Sequence, residues 1–110
     1  MAYDVVLADR LRDILAGEPD LAEKKMFGGL AFLVAGHMAV AASGRSGMML
    51  RVDPSQTGTL LADPRARPFE MRGRELAGWL YVDIDAGVSD DELGRWVDHG
   101  LSYVRSLPPK

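Results

Sequence analysis

Residues 24–53, KKMFGGLAFLVAGHMAVAASGRSGMMLRVD, constrain the fold most, because short apolar runs alternate there with glycine-bearing turns. Residues 30–35 and 38–42 form two such runs, and Gly36-His37 between them is a two-residue loop that suits the positive φ of a tight hairpin. Gly44-Arg45-Ser46-Gly47 then turns the chain into a third run, residues 48–52. Ahead of these, residues 23–27 read as a first strand, with Gly28-Gly29 acting as a turn or a bulge. Loops this short cannot carry a parallel crossover, so the stretch predicts an antiparallel meander of three or four strands.

The flanks supply helices. Between residues 4 and 16, Leu7, Ala8, Leu11, Ile14 and Leu15 recur at helical spacing opposite Asp9, Arg10, Arg12 and Asp13, and Gly17 followed by Pro19 stops the helix. Asp53-Pro54-Ser55-Gln56 opens a short helix that Pro64 ends, with Gly58 weakening it by about 1 kcal/mol relative to Ala. Residues 68–72 and 78–84 read as two more strands joined at Gly73; in the second, Leu80, Val82 and Ile84 share one face while Trp79, Tyr81 and Asp83 share the other. Ser89-Asp90-Asp91-Glu92 is a capping box that starts a helix running to about residue 107, with Leu93, Trp96, Val97, Leu101 and Val104 as its buried stripe. The order α-β-β-β-β-α-β-β-α predicts a single α+β domain over residues 1–110. It is a two-layer sandwich in which a mostly antiparallel sheet of five or six strands carries its helices on one face. The other face is left uncovered.

Charge bounds the partners. The net charge of −3 argues against a generally basic nucleic-acid coat, yet residues 24–74 hold eight Lys/Arg against three acids, while both flanks are acidic. A basic middle can bind an anion, or it can pair with the chain's own acidic ends, and the second is the simpler expectation. The chain has no cysteine, which excludes disulfide frameworks and thiolate metal sites and fits a reducing compartment. Charged residues interrupt the N-terminus where a signal peptide needs an apolar core, and nowhere do 18 apolar residues run together. A cytoplasmic protein without a membrane segment is expected.

Catalytic signals are sparse. His37 falls in a hairpin loop and His99 flanks the stripe of the last helix, neither with a partner in view, so both read as surface residues. Ser43 and Ser46 lack a nucleophile-elbow pattern, and residues 44–47 lack the spacing and lysine of a P-loop. Asp83 and Asp85 share one side of a strand but have no further oxygen ligands at calcium-loop spacing. The expectation is a non-enzyme with no catalytic, metal or cofactor residues. Two binding surfaces compete instead, with a small-ligand or enzymatic pocket as the third alternative. Arg65, Arg67, Arg72 and Arg74, with Phe69 among them, could track the phosphates of a nucleic acid, or serve as edge charges. Trp79 and Tyr81, joined by whichever of Met49 and Arg51 points the same way, form an aromatic and Met/Arg patch suited to a protein partner, with a homodimer favoured over burial under an extra loop of the same chain.

At Met26-Phe27-Gly28-Gly29-Leu30-Ala31-Phe32 the chain resembles the N-terminal domain of the TfoX/Sxy family, whose members open a meander with a Met-Phe-Gly-Gly signature. The similarity continues through Gly36-His37-Met38-Ala39, Met49-Leu50-Arg51-Val52-Asp53, Pro68-Phe69, the aromatic strand and the terminal helix, and so covers nearly the whole chain. Ala31 stands where a glycine is usual and Met71 where an aromatic is common. The resemblance implies an α+β fold similar to secretion-chaperone-like domains and a connection to the regulation of natural competence, beside the cyclic-AMP receptor protein. Full-length regulators resemble this chain only over their first half and add a C-terminal helical domain. The resemblance therefore implies a stand-alone domain, and it supplies no catalytic residues.

Overall fold

A computed structural model describes residues 4–26, 29–43, 47–71, 73–85 and 87–108, the side chains of Met26 and Met71 excepted. The chain runs α1 (Val5–Leu15), β1 (Leu21–Met26), β2 (Gly29–Val34), β3 (His37–Ala42), β4 (Gly47–Arg51), a 3-10 turn (Pro54–Gln56), α2 (Thr57–Leu60), β5 (Ala66–Met71), β6 (Arg74–Asp83) and α3 (Asp90–Arg105). The six strands form one antiparallel sheet in the order β1-β2-β3-β4-β6-β5. This is the expected α+β arrangement, with the expected element order.

Local chemistry sets the boundaries. The Asp4 carboxylate accepts the Leu7 N–H at 3.1 Å to start α1, and Gly17 follows its end at φ +90. Asp53 accepts the Ser55 N–H at 2.9 Å, but only a 3-10 turn and one α-helical turn follow. At α3 the Ser89 hydroxyl accepts the Glu92 N–H at 3.1 Å, as a capping box requires. The reciprocal half of the box is spent elsewhere: the Glu92 carboxylate pairs with Arg65 at 3.1 Å, a stronger, charge-assisted partner.

One face of the sheet carries the main core. Phe32, Val40, Met48, Leu50, Leu80 and Val82 pack there against Leu7, Leu11 and Leu15 of α1 and Leu93, Val97 and Val104 of α3. Each Leu or Val buried this way adds about 1.5–3 kcal/mol. The β2–β3 register slips between Phe32 and Leu33, so Ala39 and Val40 both face the helices while Met38 and Ala41 face away.

Two features depart from expectation. The β2–β3 turn is Ala35-Gly36, at φ +52 and +86, not Gly36-His37. Both turn residues take positive φ, as a two-residue hairpin of this kind demands. His37 is consequently the first residue of β3 and is 8% exposed, not a solvated loop residue. Its Nε2–H donates to the Pro108 carbonyl at 2.6 Å and holds the end of the chain against the sheet, while Nδ1 is buried without a partner among the described residues.

The second departure concerns the face away from the helices, which is not bare. Ala31, Met38, Ala41 and Met49 are buried there in a small cluster ringed by half-buried Leu33, Phe69 and Trp79. In a flat sheet β5 would lie about 14 Å from β3. Phe69 reaches the cluster because the β5–β6 pairing slips from Pro68↔Leu80 to Glu70↔Glu75, with Gly78 at φ +86, and the far half of the hairpin curls over this face.

A candidate interaction face

The strand register places the aromatic pair and its neighbours together. Met49 of β4 stands opposite Tyr81 of β6, and Arg51 opposite Trp79, so both Met49 and Arg51 share the helix-free face with the two aromatics. Met49 is 7% exposed, the other three half-buried. Arg51 is the last residue of β4, where α3 passes, and its Cζ lies 5.3 Å from the ring centroids of both Trp79 and Tyr103. Each such contact adds about 0.5–1 kcal/mol and holds the guanidinium in one orientation. No carboxylate among the described residues lies within 4 Å of it. Its N–H edges are therefore held in place and left unneutralised.

Beside this row the curled hairpin leaves a half-open cleft of about 660 Å3. Ala41, Met49 and Tyr81 line it from the sheet, Phe69, Glu70 and Glu75 from the hairpin. Across the hairpin Glu70 pairs in register with Glu75, and neither carboxylate has an ion-pair partner among the described residues. Tyr81 carries Arg67 over its ring at 4.9 Å, and its hydroxyl is buried with no partner among the described residues. A cleft of this size and mixed lining accepts a side chain or a small ligand.

The described arginines of the basic hairpin do not assemble into one cationic surface. Arg65 pairs with Glu92 at the start of α3 (3.1 Å) and with Asp85 (3.6 Å), whereas Arg67 pairs with Asp83 on the helix-free face (2.6 Å). Arg74 is exposed, and Arg72 lies outside the described residues. Two of the arginines thus meet the chain's own acidic C-terminal part, the simpler of the two expectations for the basic middle. Asp83 and Asp85 face different arginines, so the structure does not bring them together as a metal pair. Among the described residues no group of three His, Asp or Glu side chains is placed to hold a metal ion. His99 lies against Trp96, ring centroids 6.3 Å apart.

Sequence reasoning missed the partners that pin the helices down. Arg10 bonds the Asp90 carboxylate at 2.9 Å and the Val88 carbonyl, joining α1 to the start of α3. Arg12 forks onto Glu23 of β1 at 2.8 and 2.9 Å, which holds the Glu23 carboxyl below its ordinary pKa. Arg105 pairs with Glu18.

The Met26-Phe27-Gly28-Gly29 signature spans the β1–β2 connection. Met26 ends β1 and Gly29 opens β2, while Phe27 and Gly28 lie outside the described residues. A Cβ on Gly29 would lie 2.1 Å from the Ala42 carbonyl oxygen, so only glycine fits at the start of β2. Comparison with curated proteins gives no match. The family model for the TfoX N-terminal domain matches residues 13–103, from within α1 almost to the end of α3, and the chain belongs to that family.

Proposed function

We propose that this domain is a non-enzymatic interaction module that works as a homodimer through the helix-free face of its sheet, in the service of a regulatory process such as competence. The observation that carries the reading is the Arg51–Trp79 row beside Met49 and Tyr81, an arginine stacked on aromatics with no carboxylate partner among the described residues. Tyr, Trp, Met and Arg are the residues enriched in protein interfaces, and Trp, Tyr and Arg dominate their energetics. The regulatory role is supported by family membership alone. A cytoplasmic setting belongs to the same reading; among the described residues no helix is long and apolar enough to cross a membrane. Direct nucleic-acid binding through Arg65, Arg67, Arg72 and Arg74 draws no support from the geometry, because Arg65 and Arg67 already face carboxylates.

The test is the mass in solution. Wild-type protein should sediment as twice its 12.0 kDa chain, and the double variant Trp79→Ala/Tyr81→Ala as a single chain with an unchanged circular-dichroism spectrum. A dimer that survives both truncations would refute the proposal.

A further inference from the structure

The unpaired charges on the helix-free face divide by sign. Arg51, at the end of β4, is a cation with no carboxylate partner among the described residues, and Lys24, opposite Ala31 of the buried cluster, is an exposed cation on the same side of the sheet. Glu70 and Glu75 are anions without an ion-pair partner among the described residues, both on the curled hairpin. Arg67 and Asp83 cancel each other at 2.6 Å. Among the described residues, charges of both signs thus lie on this side, which singles out neither a polyanion nor a basic partner. A surface whose cations and anions occupy separate places is complementary to itself under a twofold rotation, because the axis that bisects the two places brings each onto the other.

We infer that the partner on this face is a second copy of the chain, and that Arg51 of each copy meets Glu70 and Glu75 of its twin. The inference rests on the proposed self-association and adds its register. Stacking between Trp79 and Tyr103 leaves the edge of the guanidinium as the part that can fork a carboxylate, and Glu70 beside Glu75 presents two of them. Placing two carboxylates side by side is unfavourable within one copy and is relieved when a cation arrives from the other. The Met49–Tyr81 row, beside Arg51 and lining one cleft with Glu70 and Glu75, supplies the apolar contact.

Charge reversal tests this with an internal control. Arg51→Glu alone, and Glu70→Lys/Glu75→Lys alone, should each weaken self-association by roughly tenfold or more, because each homodimer then places like charges together twice. Mixed in equal amounts, the two variants should restore wild-type affinity, since both contacts of the mixed dimer are again of opposite sign. The hairpin variant changes only exposed side chains, so the comparison does not depend on how well Arg51→Glu folds. Sedimentation equilibrium of each variant and of the mixture reads the result. Variants that self-associate like wild type while Trp79→Ala/Tyr81→Ala is monomeric would overturn the Arg51 register and leave the homodimer standing. A mixture that stays monomeric would overturn the register as well, and a monomeric wild type would overturn both.

Discussion

Gly100→Ala isolates how closely α3 seats on the sheet, the contact that gives the domain its single helical layer. A Cβ there would lie 2.9 Å from the Ala39 carbonyl oxygen, 3.0 Å from that of Arg51 and 3.0 Å from Leu50 Cδ1. Two of the three obstacles are backbone atoms of β3 and β4, which move only if the sheet moves. In a helix interior the change from Gly to Ala is worth about 1 kcal/mol in favour of folding. Overpacking a tight contact costs about 1–3 kcal/mol. With backbone on two sides the cost wins, and the net loss should be about 1–2 kcal/mol. Gly94 of the same helix is the control, because nothing lies within 4 Å of its added Cβ. Gly94→Ala should therefore gain up to about 1 kcal/mol, and the two variants should differ in melting temperature by roughly 10 °C. Urea unfolding at constant m reads both. Equal stability of the two variants would refute the close seating of α3, and so would a gain from Gly100→Ala.

Two further outcomes follow from particular contacts. Because Arg12 holds the folded Glu23 carboxyl below its ordinary value of 4.5, the unfolded chain takes up that proton first. Stability from the pair is complete above about pH 4.5 and drains away below it, so the gap between wild type and Glu23→Gln in urea titrations should close as the pH falls; a gap independent of pH would contradict this. Loss of the His37 bond to Pro108 in His37→Ala should cost about 1 kcal/mol. It should also speed exchange of the Ser106 and Leu107 amides, which bond the carbonyls of Tyr103 and Val104. Unchanged exchange at those two amides would mean that the histidine does not hold the terminus.

The element order was legible because its punctuation is local. Asp53 and Ser89 cap, Gly17 and Gly73 turn, and the alternation of Leu80 and Val82 with Trp79 and Tyr81 assigns the faces of β6 without any long-range knowledge. The side of Met49 and Arg51 was left open, since it depends on the pairing register with β6, which no local residue announces. His37 was misplaced by one residue. Ala35, with a Cβ, takes the positive φ that glycine takes more readily, and that single step moves the histidine from solvent into the interior. The curl of the β5–β6 hairpin was hidden for a different reason, because it arises from a register slip between strands. The pairs Arg10–Asp90 and Arg105–Glu18, 80 and 87 residues apart, leave no trace in local spacing. The same holds for Arg51, whose site is completed by Tyr103 from the last helix.

Isotope-filtered nuclear Overhauser spectroscopy on a mixture of labelled and unlabelled chains asks directly which surfaces touch. Cross-chain signals from the Met49 methyl group and from the rings of Trp79 and Tyr81 are the predicted result. Signals confined to Val5 and Val6, 40% and 70% exposed on the outside of α1, would place the contact on the opposite layer and contradict the account.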